Sequence, residues 1–246
     1  MNLRTSLAWL IVCFLFVPAL RAQGQTNPNK IYTGSFGGGF ALTGGNTDTK
    51  NFNLAFDVVR DPKTRNVWKA TAAYLRGTQT NVLNLDRTAF NIRYERVLTD
   101  RIFAFGQLDY LRDQFKQIQF LWAPSGGLGY KLINTDSTQL LIDGGAGSIK
   151  EKNPGRTSQT SGSLNAGQRF RQKLSGAALF TESVATIWKT DDYGDSLTNF
   201  SAGLTTALMK QVDVKLEFVD SYKNKPPNAT VKKNDTAFVT GFMWKF

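Results

Sequence analysis

Charged side chains alternate with apolar ones near the carboxyl end of the chain, and this spacing limits the chemistry they could perform. Asp213, Lys215 and Glu217 occupy alternate positions, with Val214 and Leu216 between them. In an extended strand the two sets point to opposite faces. The charged face needs water or mutual pairing, whereas the apolar face needs hydrocarbon or a core. The spacing predicts a strand between an aqueous and an apolar environment.

Two of these charges could in principle act as a catalytic pair. At about 3.4 Å per residue, Asp213 and Glu217 would lie roughly 13 Å apart, beyond the range of about 5 to 9.5 Å that glycoside hydrolysis uses. Lys215 lies between them and indicates a charged wall whose members neutralise one another. We therefore expect no catalytic residues in this strand.

The rest of the composition also argues against an enzyme. The sequence contains no histidine, the side chain that transfers protons near neutral pH in Ser-His and related arrangements. Its one cysteine, Cys13, lies in a segment that we expect to be removed. Thiolate catalysis, disulfides and zinc or copper sites are then not expected. The sequence predicts no enzymatic activity, no cofactor and no metal site.

The amino terminus predicts export from the cytoplasm. Arg4 precedes an apolar stretch over residues 7–17, and a short segment ending at Ala22 follows. This order is typical of a secretory signal peptide, and the stretch is too short for a transmembrane helix of about 20 residues. The predicted organisation is a signal peptide at 1–22, a polar segment at 23–32 and one domain at 33–246.

The charge balance is basic but dispersed. Lys and Arg number 30 against 19 Asp and Glu, and the formal net charge is +11, which would fall to +9 without Arg4 and Arg21. No basic run is longer than Lys232-Lys233, so nucleic acid is not expected as a partner. Hydrophobic residues make up 41% of the chain without a long apolar block beyond the amino terminus. This is typical of a barrel with lipid outside and water inside.

From residue 33 onward, the chain divides into about twelve alternating segments separated by turn signals. Turns after even-numbered segments are short, and those after odd-numbered segments tend to be longer, as in outer-membrane barrels. The sequence predicts an all-β fold: one antiparallel, up-and-down transmembrane β-barrel of about 12 strands. The candidate lumen-facing residues are Asp57, Arg87, Arg93, Glu95, Asp213, Lys215 and Glu217.

The last segment places aromatic residues on one face and ends on one of them. Phe238, Phe242, Trp244 and Phe246 alternate with small or polar residues. A carboxyl-terminal Phe on the apolar face resembles the insertion signal of bacterial outer-membrane barrels. We expect Phe242, Trp244 and Phe246 to be read by the barrel assembly machinery.

The first hairpin carries a family resemblance. Residues 34–56 read GSFGGGFALTGGNTDTKNFNLAF, and the glycine-rich strand that runs into Gly-Gly-Asn-Thr-Asp-Thr resembles the YdiY-like family of salt-induced outer-membrane proteins, a domain of unknown function. The resemblance implies an outer-membrane barrel. It supplies no catalytic or ligand-binding residues.

Two main functions remain open at this point. The first is a narrow pore for small solutes or ions, with mild anion selectivity and a link to envelope or osmotic stress. The alternative is a non-conducting envelope protein whose outer loops, at 149–156 and 223–234, bind lipopolysaccharide or a partner. The basic residues behind that alternative are Lys150, Lys152, Arg156, Lys223, Lys225, Lys232 and Lys233.

Other expectations concern location and the loops. We expect the protein in the outer membrane of a Gram-negative-type bacterium, in contact with membrane lipid and lipopolysaccharide, with its oligomeric state open. A soluble periplasmic β-sandwich is a less favoured reading. The loop at 190–195 holds three carboxylates and is either a solvated acidic loop or a cation site.

Overall fold

Twelve β-strands make up the regular structure of the described residues. The computed structural model describes residues 30–43, 49–79, 82–227 and 231–246. The predicted signal peptide and the turn after the first strand, at 44–48, lie outside the described residues. The strands are β1 (Tyr32–Thr43), β2 (Thr49–Arg60), β3 (Asn66–Gln79), β4 (Val82–Val97), β5 (Ile102–Asp113), β6 (Ile118–Asn134), β7 (Thr138–Lys152), β8 (Gln159–Lys173), β9 (Ala178–Lys189), β10 (Ser196–Ala207), β11 (Val212–Lys223) and β12 (Asn234–Lys245).

The strands form one closed sheet. Each pairs antiparallel with the next along the chain, and β1 also pairs with β12. The prediction of an up-and-down antiparallel barrel of about 12 strands is confirmed. A two-sheet sandwich is excluded, because the sheet closes on itself. No helix among the described residues is long and apolar enough to span a membrane.

The outer wall of the barrel is apolar and exposed. On β12, Phe238 is 70% exposed and Phe242 is 59% exposed, on the face opposite the interior. Such side chains need hydrocarbon around them, which a bilayer supplies. Near the two rims the outer wall carries aromatic pairs in tilted contact: the ring centroids of Trp68 and Tyr94 are 4.9 Å apart, and those of Tyr110 and Trp122 are 4.7 Å apart.

Tight turns lie at one end of the barrel and longer loops at the other. The turn after β4 is closed by the Leu98 N–H, which donates to the Ile102 carbonyl over 2.9 Å. The turn after β10 repeats this with Leu208 and Val212, also over 2.9 Å. Longer connections, at 153–158, 190–195 and 224–233, leave the opposite end. We call the two ends the turn end and the loop end.

Two strands are longer than the alternation indicated. β7 continues to Lys152 and β11 to Lys223. The expectation that Lys150, Lys152 and Lys223 belong to loops is therefore wrong. The strands continue because their inward positions remain occupied by residues that pair or pack inside the barrel.

The contact that closes the barrel is short. β1 pairs with β2 over the whole range Tyr32–Thr43, but in the described residues it pairs with β12 only through residues 35–38. The two backbones approach closely here, since a Cβ at Gly37 would lie 2.1 Å from the Phe242 carbonyl oxygen. Where this pairing ends, the Asn53 side-chain amide donates to the Thr240 carbonyl over 3.4 Å.

Candidate functional site: the interior of the barrel

Hydrogen bonds between non-neighbouring strands identify the inner face. Arg87 on β4 donates to Asn199 Oδ1 on β10 over 2.9 Å. Arg93 on β4 donates to Asp143 Oδ2 on β7 over 2.9 Å. Strands that do not pair in the sheet can meet only across the enclosed space. These side chains therefore lie in the lumen, and alternate positions on each strand share that face.

Five charged residues form a network in the half of the lumen nearer the turn end. Glu95 accepts from Lys69 Nζ over 2.6 Å and from Arg93 Nε over 2.8 Å, and Arg169 Nη2 lies 3.5 Å from it. Asp143 lies 2.9 Å from Arg93 and 2.6 Å from Arg169. We call these five residues the inner network. Because each acid contacts more than one cation, its charge is fully compensated.

Two of the three cations of the inner network, Lys69 and Arg169, are partly exposed in the lumen, while the acids are more deeply buried. The side chains of Lys69 and Arg169 are 31% and 34% exposed, whereas those of Glu95 and Asp143 are 9% and 10% exposed. Arg93 is buried, with its guanidinium 3.8 Å from the centroid of the Phe105 ring. A solute in the lumen at this level would therefore meet positive charge first.

On β11, as in the inner network, the acids are less exposed than the lysines that pair with them. Lys245 on β12 is 38% exposed and lies 2.6 Å from Asp213, which is 14% exposed. Lys215 lies 3.0 Å from Glu217 on its own strand. Both acids have a lysine partner, so the strand forms a neutralised charged wall.

The remaining predicted lumen residues occupy separate places on the inner face. Asp57 on β2 accepts a hydrogen bond from the Ser35 hydroxyl on β1. Arg87 makes the bond across the lumen to Asn199. Of the seven predicted residues, Arg93 and Glu95 meet in the inner network, and Asp213, Lys215 and Glu217 lie along one strand. The structure does not bring the seven into a single constellation.

An apolar cluster fills the lumen on the loop side of the inner network. Its members come from β5, β6, β7 and β10, so their contact crosses the interior. Each is at most 5% exposed. Such a constriction excludes water and opposes the passage of ions. The members of this apolar cluster are Leu111, Ile118, Leu121, Ala123, Ile149 and Leu197.

A second ionic group, which we call the outer network, lies between the apolar cluster and the loops. Lys189 lies 2.9 Å from Glu151 and 2.6 Å from Asp195. Lys223 lies 3.3 Å from Glu151 and 2.9 Å from Asp195. The side chains of Glu151 and Lys223 are only 3% and 4% exposed. Lys189 and Asp195 are 12% and 16% exposed, so all four residues are mostly buried.

Lys116 adds a further contact across the lumen at this level. It lies between β5 and β6, and its side chain is 1% exposed. Its ammonium group donates to the Lys233 carbonyl over 2.9 Å and lies 3.0 Å from Asp235 at the start of β12. Buried lysines from two regions of the chain, Lys116 and Lys223, therefore connect separate segments of the loop end.

The sequence reasoning missed the outer network and the apolar cluster. The turn signals predict a loop at 149–156, which includes Glu151. In the structure, Ile149 and Glu151 instead continue the inward series of β7 that includes Asp143. That continued alternation was a signal that could have found them. The apolar cluster breaks the expectation of a polar inner face, so the pattern of one strand alone could not reveal it.

Two of the three carboxylates in the loop at 190–195 contact lysine side chains. Asp192 lies 2.6 Å from Lys225, and this hydrogen-bonded ammonium group lowers the pKa of Asp192. Burial would raise the pKa of Asp195, but the ammonium groups of Lys189 and Lys223 outweigh it and hold that pKa below its ordinary value. The Asp191 carboxylate accepts from the Ser161 hydroxyl over 2.7 Å. The loop therefore pairs with the protein's own cations, which opposes the cation site considered from the sequence.

Twelve antiparallel strands closed around a charged interior, with an apolar outer wall, define the fold of an outer-membrane β-barrel. The chain belongs to the family described as "Protein of unknown function, DUF481", whose model matches residues 37–246. This agrees with the resemblance found at the first hairpin. No curated protein matches the sequence.

Solved outer-membrane barrels are similar in fold. The chain is similar to the NanC porin, with a TM-score of 0.54 and 11% identity over 87% of this chain and 100% of that one. It also matches the translocator domain of the autotransporter NalP from Neisseria meningitidis, with a TM-score of 0.48 and 12% identity over 87% and 88% of the two chains. The first likeness shows a shared fold.

Proposed function

We propose that the protein is a narrow pore of the outer membrane that prefers small anions and is closed in the conformation described here. The observation that carries this proposal is the order of exposure in the inner network. Lys69 and Arg169 face the lumen water, while Glu95 and Asp143 lie behind them. Fixed positive charge along a water-filled wall attracts anions and repels cations.

Closure follows from the loop-side half of the lumen. The apolar cluster lies across the loop-side half of the lumen, and the outer network above it is mostly buried. A solute would have to displace both to cross. The pore would therefore conduct rarely, and its openings would require movement of the loop end.

Planar-bilayer recording tests the proposal. With a salt gradient across the membrane, the wild-type protein should give infrequent conductance steps and a reversal potential on the anion side. The Lys69→Gln and Arg169→Gln variants should move that potential toward zero. Lys63→Gln, in an exposed turn outside the lumen, is the matched control and should leave it unchanged. A cation-selective reversal potential in the wild type would contradict the proposal.

A second candidate function is a non-conducting envelope protein that binds lipopolysaccharide at its loop end. The closed lumen favours it, as do the exposed basic residues Lys150, Arg156 and Lys225. Arg156 also donates to the Pro227 carbonyl over 2.8 Å, which ties two outer loops together. Lys223 does not contribute, because it is buried in the outer network.

Two measurements separate the candidates. Absence of conductance in the wild type and in variants of the apolar cluster would favour the non-conducting protein. Weaker binding of lipopolysaccharide by a Lys150→Gln and Lys225→Gln variant, with unchanged binding by Lys63→Gln, would support its basic loop end. The link to osmotic or envelope stress is part of the pore proposal, and growth of a deletion strain at high salt tests it.

The last residues are proposed to guide assembly. Phe242 and Trp244 are exposed on the outer wall, and the Phe246 N–H donates to the Gly34 carbonyl over 3.2 Å. These contacts support a carboxyl-terminal strand that is presented to the barrel assembly machinery and then joined to β1. A Phe246→Ala variant should accumulate less in the outer membrane while its synthesis is unchanged.

A further inference from the structure

Glu182 on β9 places a carboxylate on the outer wall of the barrel, in the region of lipid. On β10, Asn199 bonds Arg87 across the lumen, so Ser201 shares that inward face. Ser183 on β9 is the sheet partner of Ser201, with the two hydroxyls 2.9 Å apart, and therefore also faces the lumen. Glu182, the preceding residue, must therefore face outward. In the sheet it lies between Phe170 on β8 and Ala202 on β10.

The surroundings of Glu182 are unfavourable for a charge. Along β9 its outward neighbours are Phe180 and Val184, and among the described residues no hydrogen bond or ion pair reaches its carboxylate. An ionisable group at a lipid-facing position costs free energy, and such residues are rare unless they have a partner. Glu182 therefore requires an explanation that the isolated barrel does not supply.

The outward polar side chain of Gln168 lies diagonal to Glu182, because Gln168 on β8 pairs with Val184. The other diagonal neighbour on β8, Gln172, already accepts a hydrogen bond from the Thr138 hydroxyl over 3.0 Å. Strands of a barrel tilt by about 35 to 45° relative to the axis, which brings Gln168 and Glu182 to nearly the same depth in the membrane. The Gln168 amide can donate a hydrogen bond, and the Glu182 carboxylate can accept one. Neither has a partner among the described residues.

We propose that the part of the outer wall around Gln168 and Glu182 is the interface of a homodimer. A two-fold axis along the membrane normal, passing between Gln168 and Glu182, would place each Gln168 amide against the Glu182 carboxylate of the second copy. A two-fold contact needs a surface that complements itself, and a donor and an acceptor side by side at equal depth meet this requirement. The donor and acceptor on this surface therefore favour a second copy of the same chain as its binding partner.

The residues around the pair allow close approach. Ala166 precedes Gln168 on the outward face of β8, and Ala202 flanks Glu182 on β10. Small residues let two membrane segments come near enough for polar side chains to bond across the contact. The interface lies on the outer wall, so it does not depend on whether the lumen conducts.

The oligomeric state in lipid nanodiscs tests the proposal. The wild-type protein should be dimeric, and Glu182→Leu and Gln168→Leu should each raise the dimer dissociation constant about thirty-fold, because each change removes both symmetry-related contacts and polar contacts in membranes contribute on the order of 1 kcal/mol each. Thr88→Val, a polar-to-apolar change on the outward face of β4, is the matched control and should remain dimeric. Faster migration of unheated samples in detergent gels verifies that each variant has folded.

An exchange of the two side chains makes the test specific. Gln168→Glu alone would place four carboxylates at the contact and should dissociate the dimer at neutral pH, whereas Gln168→Glu combined with Glu182→Gln should restore it. A single cysteine at Val184→Cys should crosslink two copies, while one at Ala72→Cys on the opposite wall should not. A monomeric wild-type protein, or a Glu182→Leu variant that dimerises as tightly as the wild type, would overturn the proposal.

Discussion

The inner and outer networks use the same kinds of charge in different surroundings. In the inner network, Glu95 meets a lysine and two arginines, and two of these cations are about a third exposed. In the outer network, Glu151 meets two lysines, and every member is mostly buried. The apolar cluster separates the two. The difference indicates that the inner network lines water, whereas the outer network closes the lumen.

The energetic roles should differ accordingly. A partly hydrated ion pair contributes little net stability, since water replaces a lost partner. A buried pair contributes weakly as a whole, but removal of one member leaves an uncompensated charge and is strongly destabilising. Substitutions in the outer network should therefore reduce stability, whereas substitutions of Lys69 and Arg169, the partly exposed cations of the inner network, should chiefly alter what the lumen attracts.

The largest effect is expected for Glu151→Ala. Loss of this carboxylate leaves Lys189 and Lys223 with Asp195 as their shared partner, and we expect about 3 to 5 kcal/mol lower free energy of unfolding. Urea titration in phospholipid vesicles measures it. Glu217→Ala, on a partly exposed pair, is the matched control, with an expected loss of less than about 1 kcal/mol. Equal losses in the two variants would remove the distinction between the networks.

Leu197→Ala should have the next largest effect and should also open the lumen. It removes the contribution of β10 to the apolar cluster, and core truncations of this kind cost about 2 to 5 kcal/mol. We expect longer or more frequent conductance steps in planar bilayers. Leu204→Ala, on the outward face of the same strand, should leave conductance unchanged. Identical recordings from both variants would show that the apolar cluster does not close the lumen.

Acidification should weaken the loop end before the rest of the barrel. The pKa of Asp195 is lowered in the folded protein, so its stabilising contribution is present above its unfolded pKa of about 3.9 and is lost as the pH falls through the folded value. The difference in unfolding free energy between the wild type and Asp195→Asn should therefore be large at pH 6 and shrink below about pH 4. A difference that does not change over this range would contradict the assignment.

The smallest effect is expected for Lys225→Ala. Its partner Asp192 is an exposed loop residue, and the side chains of the pair are 55% and 45% exposed. Exposed ion pairs contribute little to stability, because water screens the two charges. Urea titration beside the Glu151→Ala variant would compare the two ends of the scale in one measurement, and the unfolding midpoint of Lys225→Ala should stay close to that of the wild type. A loss comparable to that of Glu151→Ala would mean that the outer loops contribute to closing the lumen.

The sequence predicted the barrel because each strand faces two solvents. On β11 the alternation of Val214 and Leu216 with Lys215 and Glu217 specifies both faces, and the number of strands followed from repeated patterns of this kind. It did not predict how the lumen is closed. The partners of Glu151 come from β9 and β11, and no local pattern reports which distant strands meet across the interior.

The outward orientation of Glu182, in contrast, is already indicated by the local pattern of its strand. Its position in the alternation of β9 already placed it on the same face as Phe180 and Val184, but a single carboxylate in a strand is usually assigned to the wet face. The bond from Arg87 to Asn199 across the lumen fixes the inward face of β10, and the pairing of Ser201 with Ser183 extends it to β9; no pattern within β9 reports this contact.

The short pairing between β1 and β12 has a consequence for how the cylinder forms and comes apart. Every other pairing joins strands that are consecutive in the chain, whereas this one joins its two ends through residues 35–38 and 242–245. Contacts between distant residues form slowly, so we expect the hairpins to appear first and this joint to be made last. The amide hydrogens along its edges should likewise be the first of the sheet to exchange with deuterated water.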